Sequence, residues 1–462
     1  MYVAESRSSK APVAPAPRPG RRAAAVPGTV LVLGTVSLVT DVSSEMVSAV
    51  LPLYLLTGLG LSPLGFGLLD GIQNGFSALV RLAGGHLADR RGADGAPRHK
   101  AVAAVGYGLS ALCKPLLLLV HTVPLIGAVL AVDRTGKGLR TAPRDAMISL
   151  ATEPEHRGRA FGVHRAMDTA GALLGPLAAF LVLRLAGGPL LADGGERHGY
   201  DAVFTVSACV AVLGVLVLLL FVPSRIAGVV PASAAPRLRD GLALLRLPGL
   251  RRLAVCAVLL GLTTVSDSFL YLLVQRRLGL ATDLFPLLPL GTAAAFLLLA
   301  VPLGALADRI GRRRLFLAGH GVLLLAYGLL LSPLSGLPVV VGVLLLHGAF
   351  YAATDGVLAA AAADAVPEAQ RGAGLALVGT GQALARFACS LAFGALWSAA
   401  GGTAALAWSA AALAGCVAGA AFVLREPAAP ADALPTSPSS ASPSAPSSAP
   451  SSSPPSDSEV PS

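Results

Sequence analysis

The feature that most constrains the fold is a series of long apolar segments that begins at residue 29 and ends at residue 424. A helix needs about 20 largely apolar residues to cross a bilayer. Twelve segments approach or exceed that length, at 29–56, 64–87, 101–120, 123–144, 160–183, 202–222, 253–274, 285–307, 315–332, 337–362, 373–398 and 403–424. Charged residues make up only 13% of the chain, against about a quarter in soluble domains. The sequence therefore predicts an all-α polytopic membrane protein.

The distribution of Lys and Arg predicts how the chain crosses the membrane. If the N-terminus is cytoplasmic, the even-numbered loops, both tails and the cytoplasmic end of the fourth span (Arg140 and Arg144) hold 25 of the 35 basic residues, whereas the odd-numbered loops hold four, namely Arg184, Arg197, Arg276 and Arg277. Basic residues accumulate in cytoplasmic loops. We therefore expect a bacterial-type inner membrane protein with both termini in the cytoplasm. The net charge of +10 then requires no nucleic-acid partner.

The two ends of the chain differ in composition from the apolar region between them. Residues 1–26 are rich in Ala, Pro and Arg and lack the short apolar core of a signal peptide. Residues 425–462 are almost entirely Pro, Ser and Ala, which cannot bury enough apolar surface to fold. We expect two disordered cytoplasmic tails, one basic and one rich in Pro and Ser.

A short charged segment occurs twice and divides the chain into two halves. The pattern Gly-x-x-x-Asp-Arg-x-Gly follows the second apolar segment, at 85–92, and also the eighth, at 304–311. At the same offset, Asp145 corresponds to Asp364. A fixed offset indicates an internal duplication. We therefore expect a six-helix bundle over 27–222, a cytoplasmic linker over 223–250 and a second six-helix bundle over 251–424, which form two pseudo-symmetric halves around a central cavity.

The charged loop, its repetition and the six-plus-six arrangement resemble the major facilitator superfamily over roughly residues 27–425. The second copy matches the family's loop fully, with Gly304, Asp308, Arg309, Gly311, Arg312 and Arg313. The first copy has Gly85, Asp89, Arg90 and Gly92, but an insertion replaces the Arg pair that should follow. The resemblance implies a secondary transporter that works by alternating access.

We expect the two charged loops to act as gates. Asp89 or Asp308 can cap a helix N-terminus or pair with an Arg of a facing helix, and Arg140 and Arg144 are available as partners near the cytoplasmic end of the fourth span. The alternative is that the loops serve only as topology signals.

Ionisable residues inside the spans are candidates for the transport site, because each costs about 2.5–3.5 kcal/mol to insert. Asp41 and Glu45 lie one helical turn apart in the first span, and two close carboxylates disfavour double ionisation. One of them can therefore hold a proton, as a proton carrier must. The alternative is that each is paired with a fixed cation such as Lys114 or Arg134.

Arg134-x-x-Lys137-Gly138 in the fourth span resembles a motif of the same family, with Lys137 where Gln is common. In that family the Arg is linked with proton transfer, so the resemblance implies that Arg134 controls the protonation of Asp41 and Glu45. Lys137 and Asp168 complete the predicted proton-coupling set.

Other polar residues of the spans are expected to line the cavity. They are Asp70, Gln73, Asn74, Arg165, Asp267, Asp355, Gln382 and Arg386. Gly171, Gly175 and Pro176 form a small-residue face that lets helices approach closely. This face also resembles the family's antiporter-associated motif, without its trailing Gly pair, and so implies efflux.

These observations together predict a transporter and not an enzyme. We find no nucleotide-binding, metalloprotease or hydrolase motif, and we expect no cofactor and no metal. The predicted protein is a monomeric, proton-coupled exporter of a small molecule. The cluster Arg134, Lys137, Arg165 and Arg386 leaves a proton-coupled importer of an anionic metabolite as an alternative. A membrane sensor or scaffold that kept the fold without transport is a further one.

Overall fold

The structure, a computed structural model, describes residues 26–73, 75, 99–186, 195–223, 243–367 and 370–424. Both predicted tails lie outside these residues, apart from residue 26, and so does most of the predicted linker. The same is true of Asn74 and of the first charged loop, with Gly85, Asp89, Arg90 and Gly92. The predicted disorder of the tails and the predicted role of that loop therefore stay predictions.

The described chain is helical throughout and contains no strand, so the predicted all-α fold is confirmed. We number the helices α1 (Gly28–Leu53), α2 (63–73), α3 (His99–Leu119), α4 (Val123–Leu150), α5 (Arg157–Ala186), α6 (Gly195–Phe221), α7 (Pro248–Gly261), α8 (Asp267–Leu278), α9 (Leu287–Ile310), α10 (Arg312–Leu331), α11 (Leu337–Asp364), α12 (Arg371–Ala400) and α13 (Gly402–Val423). A π-helical turn, Tyr54–Gly58, extends α1, and single 3₁₀ turns occur at Pro154–His156, Leu244–Arg246 and Thr282–Leu284.

Nine helices of the described chain are long and apolar enough to cross a membrane. The other three predicted spans have separate physical reasons for falling outside this group. Helix α2 is described over only part of the predicted segment. Helix α4 has sufficient length but carries six charges, at Asp133, Arg134, Lys137, Arg140, Arg144 and Asp145. The seventh predicted span, expected as one helix over 253–274, is divided into α7 and α8.

The break between α7 and α8 falls at Leu262–Thr263–Thr264–Val265–Ser266. Three β-branched residues disfavour the helix here, and the two Thr hydroxyls donate back to the Leu260 carbonyl, at 3.0 Å from Thr263 and 2.8 Å from Thr264. The Val265 amide donates to the Tyr327 hydroxyl at 2.9 Å. These groups therefore find partners inside the protein, which a bilayer environment requires of a broken helix.

Helix α1 packs against α5 through the small-residue face that the sequence analysis identified. A Cβ atom on Gly171 would lie 2.5 Å from the Leu38 carbonyl oxygen, and one on Gly175 would lie 2.6 Å from the Glu45 Cβ. Pro176 follows and is buried. Because only glycine allows so close an approach, these two positions fix the distance between α1 and α5.

Helices from the N-terminal and C-terminal halves of the chain pack together near the connection between α1 and α2. A Cβ on Gly67 would lie 2.5 Å from the Ser390 carbonyl oxygen, and one on Gly394 would lie 2.5 Å from that of Pro63. Arg184, at the end of α5, pairs with Asp283 before α9 at 3.1 Å. We call the end of the molecule that carries these contacts the closed end.

All the described helices belong to one compact unit that ends at Leu424. The division of this unit into bundles at 223–250 stays a prediction. Helix α7 begins at Pro248, inside the predicted linker, with Pro at the first helical position, where it is well tolerated.

Candidate transport site

Asp41 and Glu45 of α1 each face a different cation of α4. Arg140 Nη2 lies 3.2 Å from Asp41 Oδ1, and these side chains are only 4% and 14% exposed. Lys137 Nζ lies 3.8 Å from Glu45 Oε1, and these side chains are 37% and 31% exposed. The two pairs therefore differ in kind: Asp41 is held in a buried ion pair, whereas Glu45 has a looser contact and access to the interior space.

Arg134 contacts neither Asp41 nor Glu45 in this structure, and its predicted role in their protonation stays a prediction. Arg134 Nη2 donates to Gln73 Oε1 at 3.0 Å, and its Nε lies 3.9 Å from Asp133 Oδ2. Six residues separate Arg134 from Arg140, which is about 9 Å along a helix. Arg140, rather than Arg134, lies level with Asp41. A motif in α4 cannot show how far that helix is shifted along α1, and this shift decides which cation meets the carboxylate.

A buried ion pair joins α3 to α4. Lys114 Nζ donates to Asp133 Oδ1 at 2.9 Å, with exposed fractions of 4% and 9%. Lys114 was one of the cations expected to pair with Asp41 or Glu45, and Asp133 was not among the predicted site residues. The spacing of α3 and α4 in the chain could have indicated this pair, because consecutive antiparallel helices commonly pack together.

Asp168 lies beside Asp41, in a cluster at the level of Ser37. Its carboxylate lies 3.6 Å from Arg144 Nη1 and 3.8 Å from Arg165 Nη1. Arg144 also lies 3.1 Å from Asp145 and donates to Ser37 Oγ at 3.3 Å. Arg165, predicted to line the cavity, has a side chain that is 80% exposed. Asp168 is therefore shared between two guanidinium groups rather than placed beside Glu45.

A cavity of about 350 Å³ lies between α1, α8, α9 and α11, and we call it the central cavity. Three of its lining residues are carboxylates: Glu45, Asp267 and Asp355. Four are aromatic, Tyr271, Phe285, Phe296 and Tyr351, and none of the described lining residues is Lys or Arg. Thr292 also lines it. The volume is that of a site for a small organic ligand.

Asp267 lies in the first turn of α8, directly after the break in the seventh span. Its Oδ1 accepts a hydrogen bond from the Tyr351 hydroxyl at 2.6 Å and lies 3.0 Å from His347 Nε2. The guanidinium of Arg386 lies 5.9 Å from the centre of the Tyr351 ring. His347, Tyr351 and Asp355 follow each other at intervals of four on α11, so they share one helix face. That spacing could have identified Tyr351, which the sequence analysis missed.

A smaller cavity, of about 90 Å³, connects the helix break to α2. It is lined by Asp70 and Gln73 of α2, by the break residues 264–266, by Asp267 and Ser268, and by Tyr351 and Arg386. Ser390 Oγ donates to Asp70 Oδ2 at 2.7 Å, which joins α2 to α12. Gln382 lies beside Gly261 at the end of α7. The structure thus brings Asp70, Gln73, Asp267 and Arg386 together.

The second charged loop makes its contact to a facing helix through Arg312. This guanidinium pairs with Asp364 at the end of α11, donates to the Ala360 carbonyl at 3.4 Å and lies 3.8 Å from Asp308. Asp308 is 72% exposed and no side chain caps α10, so the structure does not show the capping contact, and the predicted gating role of Asp308 stays a prediction. Gly311 has φ +92° and links α9 directly to α10, a conformation that favours glycine. Gly304 and Arg309 lie in the last turns of α9.

Comparison with known proteins identifies the family. A sequence profile of the Major Facilitator Superfamily matches residues 33–300 and, in a second match, residues 287–455. The chain belongs to the Major Facilitator Superfamily. An uncharacterized MFS-type transporter of Methanocaldococcus jannaschii is 28% identical over 380 residues, which cover 80% of this chain and 88% of that protein. An uncharacterized protein of Mycobacterium tuberculosis is 34% identical over 158 residues, which cover 34% of this chain and 37% of that protein.

Solved structures of transporters share the fold. The nucleoside transporter NupG has a TM-score of 0.69 at 13% identity, covering 87% of this chain and all of that one (100%). A POT family transporter in complex with 5-aminolevulinic acid has a TM-score of 0.68 at 14% identity, covering 86% and 97%. A bacterial homolog of the human lysosomal transporter Spinster, in an inward-facing conformation, has a TM-score of 0.65 at 15% identity, covering 86% and 94%. This member of the superfamily therefore has the twelve-helix transporter fold and is a multi-pass membrane protein.

Proposed function

We propose that this transporter exports a small monocationic organic solute in exchange for protons. The observation that carries the proposal is the charge of the central cavity, where three carboxylates and no Lys or Arg line the wall among the described residues. A cation in such a site replaces the lost water with carboxylate and aromatic contacts, whereas an anion would meet like charge.

The charges around the cavity support a single positive charge on the solute. Glu45 is faced by Lys137. Arg386 lies near Tyr351, Asp267 and Asp355, and one guanidinium can balance only one of these two carboxylates. The three carboxylates carry three negative charges, and Lys137 and Arg386 supply two positive charges, so one negative charge is left unbalanced. The aromatic walls add a further preference, because cations over aromatic rings gain about 0.5–2 kcal/mol.

The four cations that favoured an anionic solute in the sequence each face a carboxylate. Arg134 lies by Asp133, Lys137 by Glu45 and Arg165 by Asp168, and Arg386 lies near Asp267. Internal pairing thus accounts for them, and the anion importer loses its main support.

Glu45 is the carboxylate that we assign to proton exchange. It lines the central cavity and has the looser ion pair, whereas Asp41 is surrounded by Arg140, Lys137 and Asp168. A proton on Glu45 removes its attraction for the solute and for Lys137. Proton and cation therefore compete for one group, which couples their fluxes in opposite directions.

Export is the direction that the antiporter-like segment favours. Gly175 of that segment packs directly on the Glu45 side chain, so the segment contacts the assigned proton site. The Gly171–Pro176 segment, which resembles the family's antiporter-associated motif, therefore lies next to the acidic central cavity.

The test uses two rigid probes of similar size and opposite permanent charge. Benzyltrimethylammonium and benzenesulfonate are offered to proteoliposomes with an acidic interior and a clamped membrane potential. Because neither probe is a weak base, trapping by protonation does not occur. We expect accumulation of the cation alone, driven by the outward proton gradient, and its loss in Glu45→Gln with counter-flow retained.

Accumulation of benzenesulfonate, or cation uptake that ignores the pH gradient, would contradict the proposal. Failure of both probes to move under any gradient would favour the sensor or scaffold alternative.

A further inference from the structure

A second cavity, of about 290 Å³, lies at the closed end between the ends of α8, α10, α12 and α13. Its apolar wall comprises Leu273, Leu330, Leu331, Leu406 and Trp397, and its polar side holds Arg276 and Arg277. We call it the arginine cavity. It shares no described lining residue with the central cavity and does not enter the transport mechanism above.

The two arginines carry charge that the described part of the chain does not neutralise. Both are exposed, and neither has a carboxylate within ion-pair distance among the described residues. Arg276 stacks over the Trp397 ring at 5.4 Å, and Arg277 donates to the Ser332 carbonyl. The C-terminus of α8 offers only about half a negative charge. More than one positive charge is therefore available for a ligand.

The position of the pair also requires an explanation. These are two of the four basic residues in the odd-numbered loops, whereas the even-numbered loops, the tails and the cytoplasmic end of the fourth span hold 25. Exposed Leu334 and Leu337 follow in the chain just after the cavity wall, and Trp397 lies in the wall itself. Trp is enriched at the membrane–water interface, which places Trp397 and the arginine pair near the level of the lipid headgroups.

We propose that the arginine cavity binds the phosphate of an anionic phospholipid, with the acyl chains along its leucine wall. Phosphate fits the guanidinium fork, and apolar walls next to a paired positive charge suit an amphiphile better than a free ion. Basic pockets between transmembrane helices bind anionic headgroups on the cytoplasmic side by this chemistry, and the arginine cavity would do so in the external leaflet. This proposal is independent of the transported solute.

The experiment measures the thermal unfolding of the full-length protein in a neutral detergent during titration with dioleoylphosphatidylglycerol. Parallel titrations use dioleoylphosphatidylcholine and inorganic phosphate. A ligand that binds only the folded state at 100 times its Kd stabilises by about 2.7 kcal/mol. We expect phosphatidylglycerol alone to raise Tm, with a Trp397 fluorescence change at the same midpoint.

Two double variants provide a matched comparison. R276Q/R277Q should weaken the apparent affinity for phosphatidylglycerol at least tenfold. R251Q/R252Q, which removes an equally exposed adjacent pair at the start of α7, should leave it unchanged. R276K/R277K keeps the charge but loses the guanidinium fork, so it should bind phosphatidylglycerol more weakly than the wild type. It replaces the glutamine variant in this comparison if that variant fails to fold.

Equal stabilisation by phosphatidylcholine would overturn the proposal. So would full stabilisation by inorganic phosphate, which would indicate a free-anion site, or unchanged lipid selectivity in R276Q/R277Q.

Discussion

Asp41 and Glu45 are one turn apart in the sequence, yet the structure gives them different energetic roles. Removing Asp41 leaves Arg140 buried and unpaired, and an uncompensated buried charge costs about 3–5 kcal/mol. Glu45 and Lys137 are partly exposed, and such pairs contribute only about 0–1 kcal/mol.

We therefore predict that Asp41→Ala strongly lowers the thermal unfolding temperature in detergent, whereas Glu45→Ala barely changes it. Glu45→Ala should instead abolish proton-driven exchange. Lys137→Ala is the control for Glu45, since it removes the same weak pair from the other side. Equal stability of the two alanine variants at 41 and 45 would contradict the assignment.

A second prediction at this scale concerns the charged loop. Because Arg312 contacts Asp364 while Asp308 stays exposed, Arg312→Gln and Asp364→Asn should slow transport by a similar factor. Asp308→Asn should have a smaller effect. The ion pair is surface-exposed, so none of the three variants should change the free energy of unfolding by more than about 1 kcal/mol. Initial uptake rates in proteoliposomes check this order, and the largest loss in Asp308→Asn would reverse it.

Helix existence was predictable from the sequence, but helix continuity and helix register were not. Hydropathy over about 20 residues located the spans, because the bilayer imposes that length. The same window passed over the break at Thr263–Ser266, whose polar and β-branched residues are too few to lower the average. Likewise, the charges of α4 were visible, but which one faces Asp41 depends on the tertiary offset between α1 and α4.

The candidate site was predicted in part for the same reason. Glu45, Asp267 and Asp355 were named as intramembrane charges, and the structure brings them to one cavity. Tyr351 was indicated only by its spacing of four from His347 and Asp355. Thr292 of the same cavity and Ser390, which binds Asp70, are single hydroxyl residues, which are common in spans and carry no distinctive spacing. Arg165 was predicted to line the cavity because it lies in a span, but its side chain is 80% exposed.

At the level of the element pair, the closed end depends on backbone contact between α2 and α12. A Cβ on Gly394 would lie 2.5 Å from the Pro63 carbonyl oxygen, so Gly394→Ala should push the two helices apart. We predict at least a tenfold fall in the initial transport rate, equivalent to about 1.4 kcal/mol.

The same variant should make a cysteine placed by Ser268→Cys in the cavity more reactive to an impermeant maleimide. Gly328→Ala is the matched control, because nothing lies within 4 Å of its Cβ position. Similar rates for the two alanine variants would show that the contact at Gly394 has no part in transport.

For the whole molecule, the orientation in the membrane remains to be measured. From the 25-to-4 partition of Lys and Arg we predict that both termini are cytoplasmic. Reporter fusions after residues 60, 195 and 335 should therefore report an external location, and a fusion after residue 424 an internal one. A cytoplasmic signal from any two of the first three would invert or shorten the twelve-span topology.

The partners of the α4 charges also bear on how this protein is synthesised. Asp133 pairs with Lys114 of α3, while Arg140 and Lys137 pair with Asp41 and Glu45 of α1. Every one of these partners precedes α4 in the chain, so each has left the ribosome before α4 does. A helix with six charges enters lipid unaided only at great cost. We therefore expect α1 and α3 to stay beside the translocon until α4 is synthesised, so that the fourth helix enters the membrane only as it pairs with them.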